Sequence, residues 1–133
     1  MTDTAATTLI HAQVPLCATL GITADTFRPD EVVLSLDWAP NLCTGNDVLH
    51  GGIVMALADS AGGVCAFLNL REGAGGTATI ESKTNFIAAT RGGTVKAQSR
   101  PLHVGKRVIV LETEVRGDDG KLAAKVLQTQ AIL

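Results

Sequence analysis

Residues 53–70, IVMALADSAGGVCAFLNL, restrict the possible folds more than any other stretch of the chain. Almost every position is apolar or small, so no face is left for water and the pattern predicts a helix buried all round, a core helix. At this length a membrane span has to be considered. Asp59 in the middle, the Gly62-Gly63 pair and flanks without a Lys or Arg cluster argue against one, so no membrane partner is expected.

Asp59 is the one ionisable residue in the run, and it needs a reason to be there. A carboxylate in apolar surroundings costs several kcal/mol unless it is paired, protonated or facing a wet cavity. Met55, Ala56, Gly62, Gly63 and Ala66 lie on its side of the helix and are mostly small, which leaves a shallow groove beside the acid. Two adjacent glycines each cost about 1 kcal/mol against alanine, so something needs the space. That something is either a ligand or close packing around an acid held by a backbone or hydroxyl donor.

The start of the helix is the second informative point. Gly51 and Gly52, after His50, carry no side chains where the first unpaired N–H groups of a helix point outward. The helix dipole there favours negative charge, so these N–H groups can serve as an oxyanion hole for acyl transfer. Gly51 and Asp59 are eight positions apart, about 12 Å along the axis at 1.5 Å per residue. One helix therefore does not present both to a single carbonyl. Two antiparallel copies, packed through the small-residue face, would bring one chain's Gly51 level with the other's Asp59, which predicts a symmetric homodimer with two composite sites.

Composition narrows the function classes. At 133 residues the chain suits one domain, 1–133, and 46% hydrophobic against 18% charged residues excludes disorder. A net charge of −2 and 3% aromatics, with no Tyr, offer neither a basic surface nor a stacking platform, so no nucleic-acid partner is expected. Cys17, Cys43 and Cys65 are odd in number and form no C-x-x-C pair; they read as reduced thiols of a cytoplasmic protein. His11, His50 and His103 lack metal-ligand spacing, so no metal is expected. The first residues, MTDTAATTLIHAQVP, lack the basic start and apolar core of a secretory signal.

Before the central helix, residues 4–14 suit a short helix ended by Pro15, Leu20-Gly21-Ile22 suits an edge strand, and 31–38 alternate as a strand with one buried face. After it come four strand-like segments, 77–89, 94–102, 107–116 and 121–132. The first sets Ala78, Ile80, Ser82, Thr84 and Phe86 on one face. T-R-G-G (90–93), H-V-G-K (103–106) and G-D-D-G (117–120) between them carry turn chemistry. The expectation is an α+β fold in which an antiparallel meander curls around one apolar helix.

These residues together resemble the hotdog fold, and within it the acyl-CoA thioesterases of the phenylacetate-degradation and 4-hydroxybenzoyl-CoA type. The resemblance runs over nearly the whole chain: L-G-I (20–22), H-G-G (50–52) followed by A-D (58–59) and G-G (62–63), T-x5-N-F (79–86), G-x3-A (93–97), H-V-G-K-R (103–107) and D-G-K-L-A-A (119–124). It implies an antiparallel sheet wrapped around the central helix, and dimers that often pair again. It also implies that the Gly51 N–H polarises a thioester carbonyl while Asp59 of the partner attacks it or activates a water. Thr79 matches a position where relatives keep a Ser or Thr able to orient the water or the carboxylate, and His50 shapes the loop or acts as a base.

The chain departs from that pattern twice. Relatives carry Asn six positions before the motif His, whereas here Thr44 stands there with Asn41 and Asn46 on either side. Some relatives also carry a hydroxyl one turn after the acid, where this chain has Gly63. Asn41, Asn46, Gly52 and Gly63 are thus candidates to touch substrate, and Arg91, Lys106 and Arg107, in or beside turns, to meet CoA phosphates. No cofactor is implied. A hydratase and a non-catalytic acyl-CoA or acyl-carrier binder are the rival readings, separated from a hydrolase by release of free thiol.

Overall fold

The computed structural model describes all residues from Met1 to Leu133. Two short helices come first, α1 (Thr4–Gln13) and α2 (Pro15–Leu20). The Asp3 side chain caps α1 by accepting the Ala6 N–H at 2.9 Å. Pro15 begins a second helix instead of simply ending the first, because the N–H it lacks at the first helical position has no partner in any helix. Gly21, in the left-handed region at φ 69°, then closes α2. The edge strand expected at 20–22 accordingly begins later, as β1 (Thr23–Arg28).

The remaining elements are β2 (Glu31–Asp37), α3 (Gly51–Leu68), β3 (Thr77–Phe86), β4 (Thr94–Val104), β5 (Val108–Arg116) and β6 (Leu122–Ile132). The six strands form one antiparallel sheet in the order β1-β2-β4-β5-β6-β3. β4, β5 and β6 follow one another as the turns predict. β3 departs from the expected meander: it pairs with β6 at the far edge, so the T-R-G-G segment is part of a crossover and not a hairpin turn. The cause is α3, whose 18 residues run for about 27 Å and carry the chain across the concave face before β3 begins.

A second departure lies within β3. The register shifts between Thr79 and Glu81, so the alternation changes phase at a bulge. Ser82 and Thr84 remain partly covered while Ile80 is 62% exposed, which corrects the continuous face expected for residues 78–86.

The core lies between the concave face of the sheet and one side of α3. Leu34 and Leu36 from β2, and Ile109 and Leu111 from β5, are almost entirely removed from water and meet Leu57, Ala58, Ala61 and Cys65 of the helix. Small helix residues let the sheet approach closely. The other side of α3 is not covered within the chain: Met55 is 39% exposed, Phe67 is 62% exposed, and Asp59 is exposed as well. The expectation of a helix buried all round therefore fails in the single chain, because the sheet wraps only one of its sides.

Candidate active site

Asp59 stands on the uncovered side of α3, and its carboxylate is held from the sheet. The Gln128 amide of β6 donates through Nε2 to Asp59 Oδ1 at 2.7 Å. Thr79 of β3, placed inward just before the bulge, donates its hydroxyl to the same oxygen at 3.5 Å. Thr79 in turn accepts from Gln130 Nε2 at 2.6 Å. No hydrogen bond in the chain reaches Oδ2 of Asp59.

The paired glycines beside the acid divide the work. A Cβ on Gly62 would come within 1.8 Å of Gln128 Oε1, so this glycine makes room for the amide that holds Asp59. A Cβ on Gly63 would meet nothing within 4 Å, and Gly63 instead borders a cleft. That cleft, about 500 Å³, lies between α1, α3 and the strands, with Asp59, Thr79 and Gln130 at one wall and Leu9, Phe27, Val64 and Phe67 among its apolar lining. A mostly apolar pocket with a few convergent polar groups is the usual form of a small-molecule site.

His50 caps the helix. Its ring Nδ1 accepts the Gly52 N–H at 2.8 Å, which places the ring proton on Nε2. A Cβ on Gly52 would stand 3.0 Å from that nitrogen, close enough to push the ring aside by a few tenths of an ångström. The Gly51 N–H, one position earlier, is left without an acceptor in the chain. The Phe86 ring lies against Gly51, 3.2 Å from where a Cβ would be. The result is a free N–H donor at a helix start, beside an aromatic wall, where the dipole favours a developing oxyanion.

The other expected contacts are scattered within one chain. Asn41 and Asn46 are exposed in the loop before α3, far from the Asp59 cleft lining. Asn46 and Asp47 take left-handed backbone, φ 60° and 58°, a conformation that Asn and Asp tolerate better than most residues. Trp38 fixes this turn by donating Nε1 to the Asp47 carbonyl at 3.0 Å. Arg91 borders a second, polar hollow of about 420 Å³ with Asp118, Asp119 and Lys121. Its loop is tied to the start of α3, since the Leu49 N–H donates to the Thr90 carbonyl. Lys106 and Arg107 lie beyond the other end of α3, where Arg71 donates to the Lys106 carbonyl. One chain thus does not gather the three basic residues.

Gln128 and Gln130 escaped the reading of the sequence, though a signal was present. Both fall on the inward face of β6 in phase with Ala124 and Val126, and polar residues at core positions of a strand demand an explanation. The cysteines are not rivals to Asp59. Burial pushes the Cys65 thiol up to about 11 and likewise raises Cys17. No three His, Cys, Asp or Glu side chains gather in metal-binding geometry.

The family model of the Thioesterase superfamily matches residues 46–124, more than half of the chain, taking in α3 and β3, which carry Asp59 and Thr79, and ending before Gln128 and Gln130 of β6. The chain belongs to the thioesterase superfamily. Among similar proteins, the 1,4-dihydroxy-2-naphthoyl-CoA hydrolase of Escherichia coli is 35% identical over 86 residues, 65% of this chain and 62% of that one. Among solved structures, a mutant thioesterase from Pseudomonas aeruginosa superposes with a TM-score of 0.88 at 25% identity, covering 96% of this chain and 93% of that one. A thioesterase family protein from Silicibacter pomeroyi gives 0.86 at 30% identity, covering 92% of each chain. The sheet and helix are those of the hotdog fold, and this thioesterase is a thioester hydrolase.

Proposed function

We propose that the chain hydrolyses an aryl- or medium-chain acyl-CoA thioester to the free acid and CoA, with Asp59 as nucleophile or as the base that activates water. The observation carrying this reading is the Asp59 carboxylate, anchored through Oδ1 beside an apolar cleft of about 500 Å³ with Oδ2 unengaged. Attack on the carbonyl carbon builds negative charge on its oxygen. The C–S bond then breaks and CoA leaves as a thiolate. Where water attacks, its proton passes to Asp59 and on to the thiolate; where Asp59 attacks, water cleaves the resulting acyl-Asp59 anhydride to the free acid and supplies that proton.

The donor for that oxygen is the Gly51 N–H of a second copy. On one helix Gly51 and Asp59 are about 12 Å apart, too far to share a carbonyl. An antiparallel pair removes the gap. Two features support such a homodimer: the uncovered side of α3 with Met55 and Phe67, and the free edge of β3, ten residues long, with Ile80 and Phe86 more than half exposed. In the same pair, Arg91 of one copy stands at the end where the other copy brings Lys106 and Arg107, so three cations can meet the CoA phosphates. Pairing of dimers into tetramers, and a cytoplasmic setting, belong to the same proposal.

Thiol release from a panel of aryl and aliphatic acyl-CoAs tests it. The wild type should release CoA from one acyl class, and Asp59→Asn should lower kcat by about 10²- to 10⁴-fold while the dimer persists. Near-wild-type rates in that variant would move the catalytic role to another group.

A further inference from the structure

A glutamine with no exposure, in the middle of a packed sheet face, is an expensive residue. Gln128 is fully buried, and its Oε1 has no hydrogen-bond partner, so the amide is only half satisfied. Packing does not require it, since Met or Leu would fill similar space. The helix opposite has also given up a side chain for it, because any Cβ on Gly62 would strike that Oε1. Two elements therefore sacrifice stability to keep one N–H group at one place, 2.7 Å from Asp59 Oδ1.

We propose that Gln128 is a positioning residue for the thioesterase reaction, with Gly62 as the gap that admits it: its amide engages Oδ1 of Asp59 and leaves Oδ2 as the reacting oxygen. The inference rests on the catalytic role proposed for Asp59. The neighbouring hydrogen bonds agree in direction. Gln130 donates to the Thr79 hydroxyl at 2.6 Å, which turns the Thr79 proton toward Asp59, and that proton again meets Oδ1. Both donors converge on one oxygen, and both come from β3 and β6, paired over most of their length. A carboxylate with one oxygen fixed to a sheet has a single orientation on its helix. Its other oxygen attacks or accepts a proton from one direction.

The test compares kcat, KM and thermal stability for Gln128→Met, Gly62→Ala and the double variant, in the full chain, using the acyl-CoA that the wild type hydrolyses fastest. Gln128→Met should lower kcat by about 10- to 100-fold, the scale of an ångström-sized misplacement, with KM kept within about threefold. Its melting temperature should hold or rise, because an unsatisfied buried amide has been removed. Gly62→Ala should lower kcat similarly by displacing the amide, and the double variant should be no slower than Gln128→Met alone. Full kcat in Gln128→Met beside an inactive Asp59→Asn would overturn the positioning role and leave the catalytic acid in place. Activity persisting in Asp59→Asn would instead remove the reading beneath it. Loss of the folded state in Gln128→Met, with undiminished kcat in Gly62→Ala, would make the amide a packing group and sink the proposal.

Discussion

The two sides of α3 are made of nearly the same residue types. Against the sheet stand Leu57, Ala58, Ala61 and Cys65, none with measurable exposure; on the other side stand Met55, Asp59, Gly63 and Phe67, all at least partly open. Hydrophobic content does not tell them apart. What separates them is the partner: one side finds it within its own chain, while the other keeps an acid beside a cleft and an apolar surface. An apolar helix face that its own fold leaves uncovered is a surface for something else.

The largest expected effect measures that difference in stability. Leu57→Ala removes a side chain enclosed by the sheet and should cost about 2–5 kcal/mol in urea unfolding, through lost burial and a residual cavity. Met55→Ala, two positions earlier, should cost less than about 1 kcal/mol in the same measurement at low protein concentration. Equal losses would mean that the two sides are equally packed, and the contrast would fail.

The sequence made most of the fold legible, for physical reasons that can be named. Alternation along 31–38 and through the last three strands is strong because each strand has one buried face, and Asp59 is conspicuous because an acid in an apolar run needs a cause. Two features stayed hidden. The pairing of β3 with β6 depends on where α3 delivers the chain, which no local pattern encodes. The uncovered side of α3 reads as core, since an apolar residue awaiting a partner and one already packed look the same in a sequence. Gln128 and Gln130 carried a readable signal in their phase, masked by the apolar residues around them. The grouping of Arg91 with Lys106 and Arg107 could not be judged at all, because their distance in one chain is set by the length of α3.

The next effect concerns what covers the open side. Ile80 projects from the free edge of β3 at 62% exposure, next to the bulge that turned it outward. A lysine there places a charge on an edge strand, a device that blocks edge-to-edge pairing. Ile80→Lys should shift the protein toward monomer in sedimentation at micromolar concentration, leave the far-ultraviolet dichroism intact, and reduce thiol release by at least about tenfold, the minimum for a site assembled from two chains. Unchanged association would place the dimer contact on another surface, and a fully active monomer would dismiss the composite site altogether.

The smallest effect sharpens the comparison to two adjacent residues. Gly62 and Gly63 follow one another in the same helix, yet one faces Gln128 so closely that a methyl group would displace its amide and the other faces open space. Neither has the positive φ that would itself require glycine. Gly63→Ala should therefore stabilise the fold by about 0.4–1 kcal/mol, by limiting the unfolded chain and improving helix propensity. The added methyl group projects into the cleft beside Asp59, so the same variant should raise KM for the bulkier acyl-CoAs while sparing the smaller ones. Thermal melting and the substrate panel, run on this single variant, then report on stability and on the cleft separately. A destabilised Gly63→Ala would mean that something already occupies that side of the helix, and in the proposed homodimer the nearest candidate is the other chain.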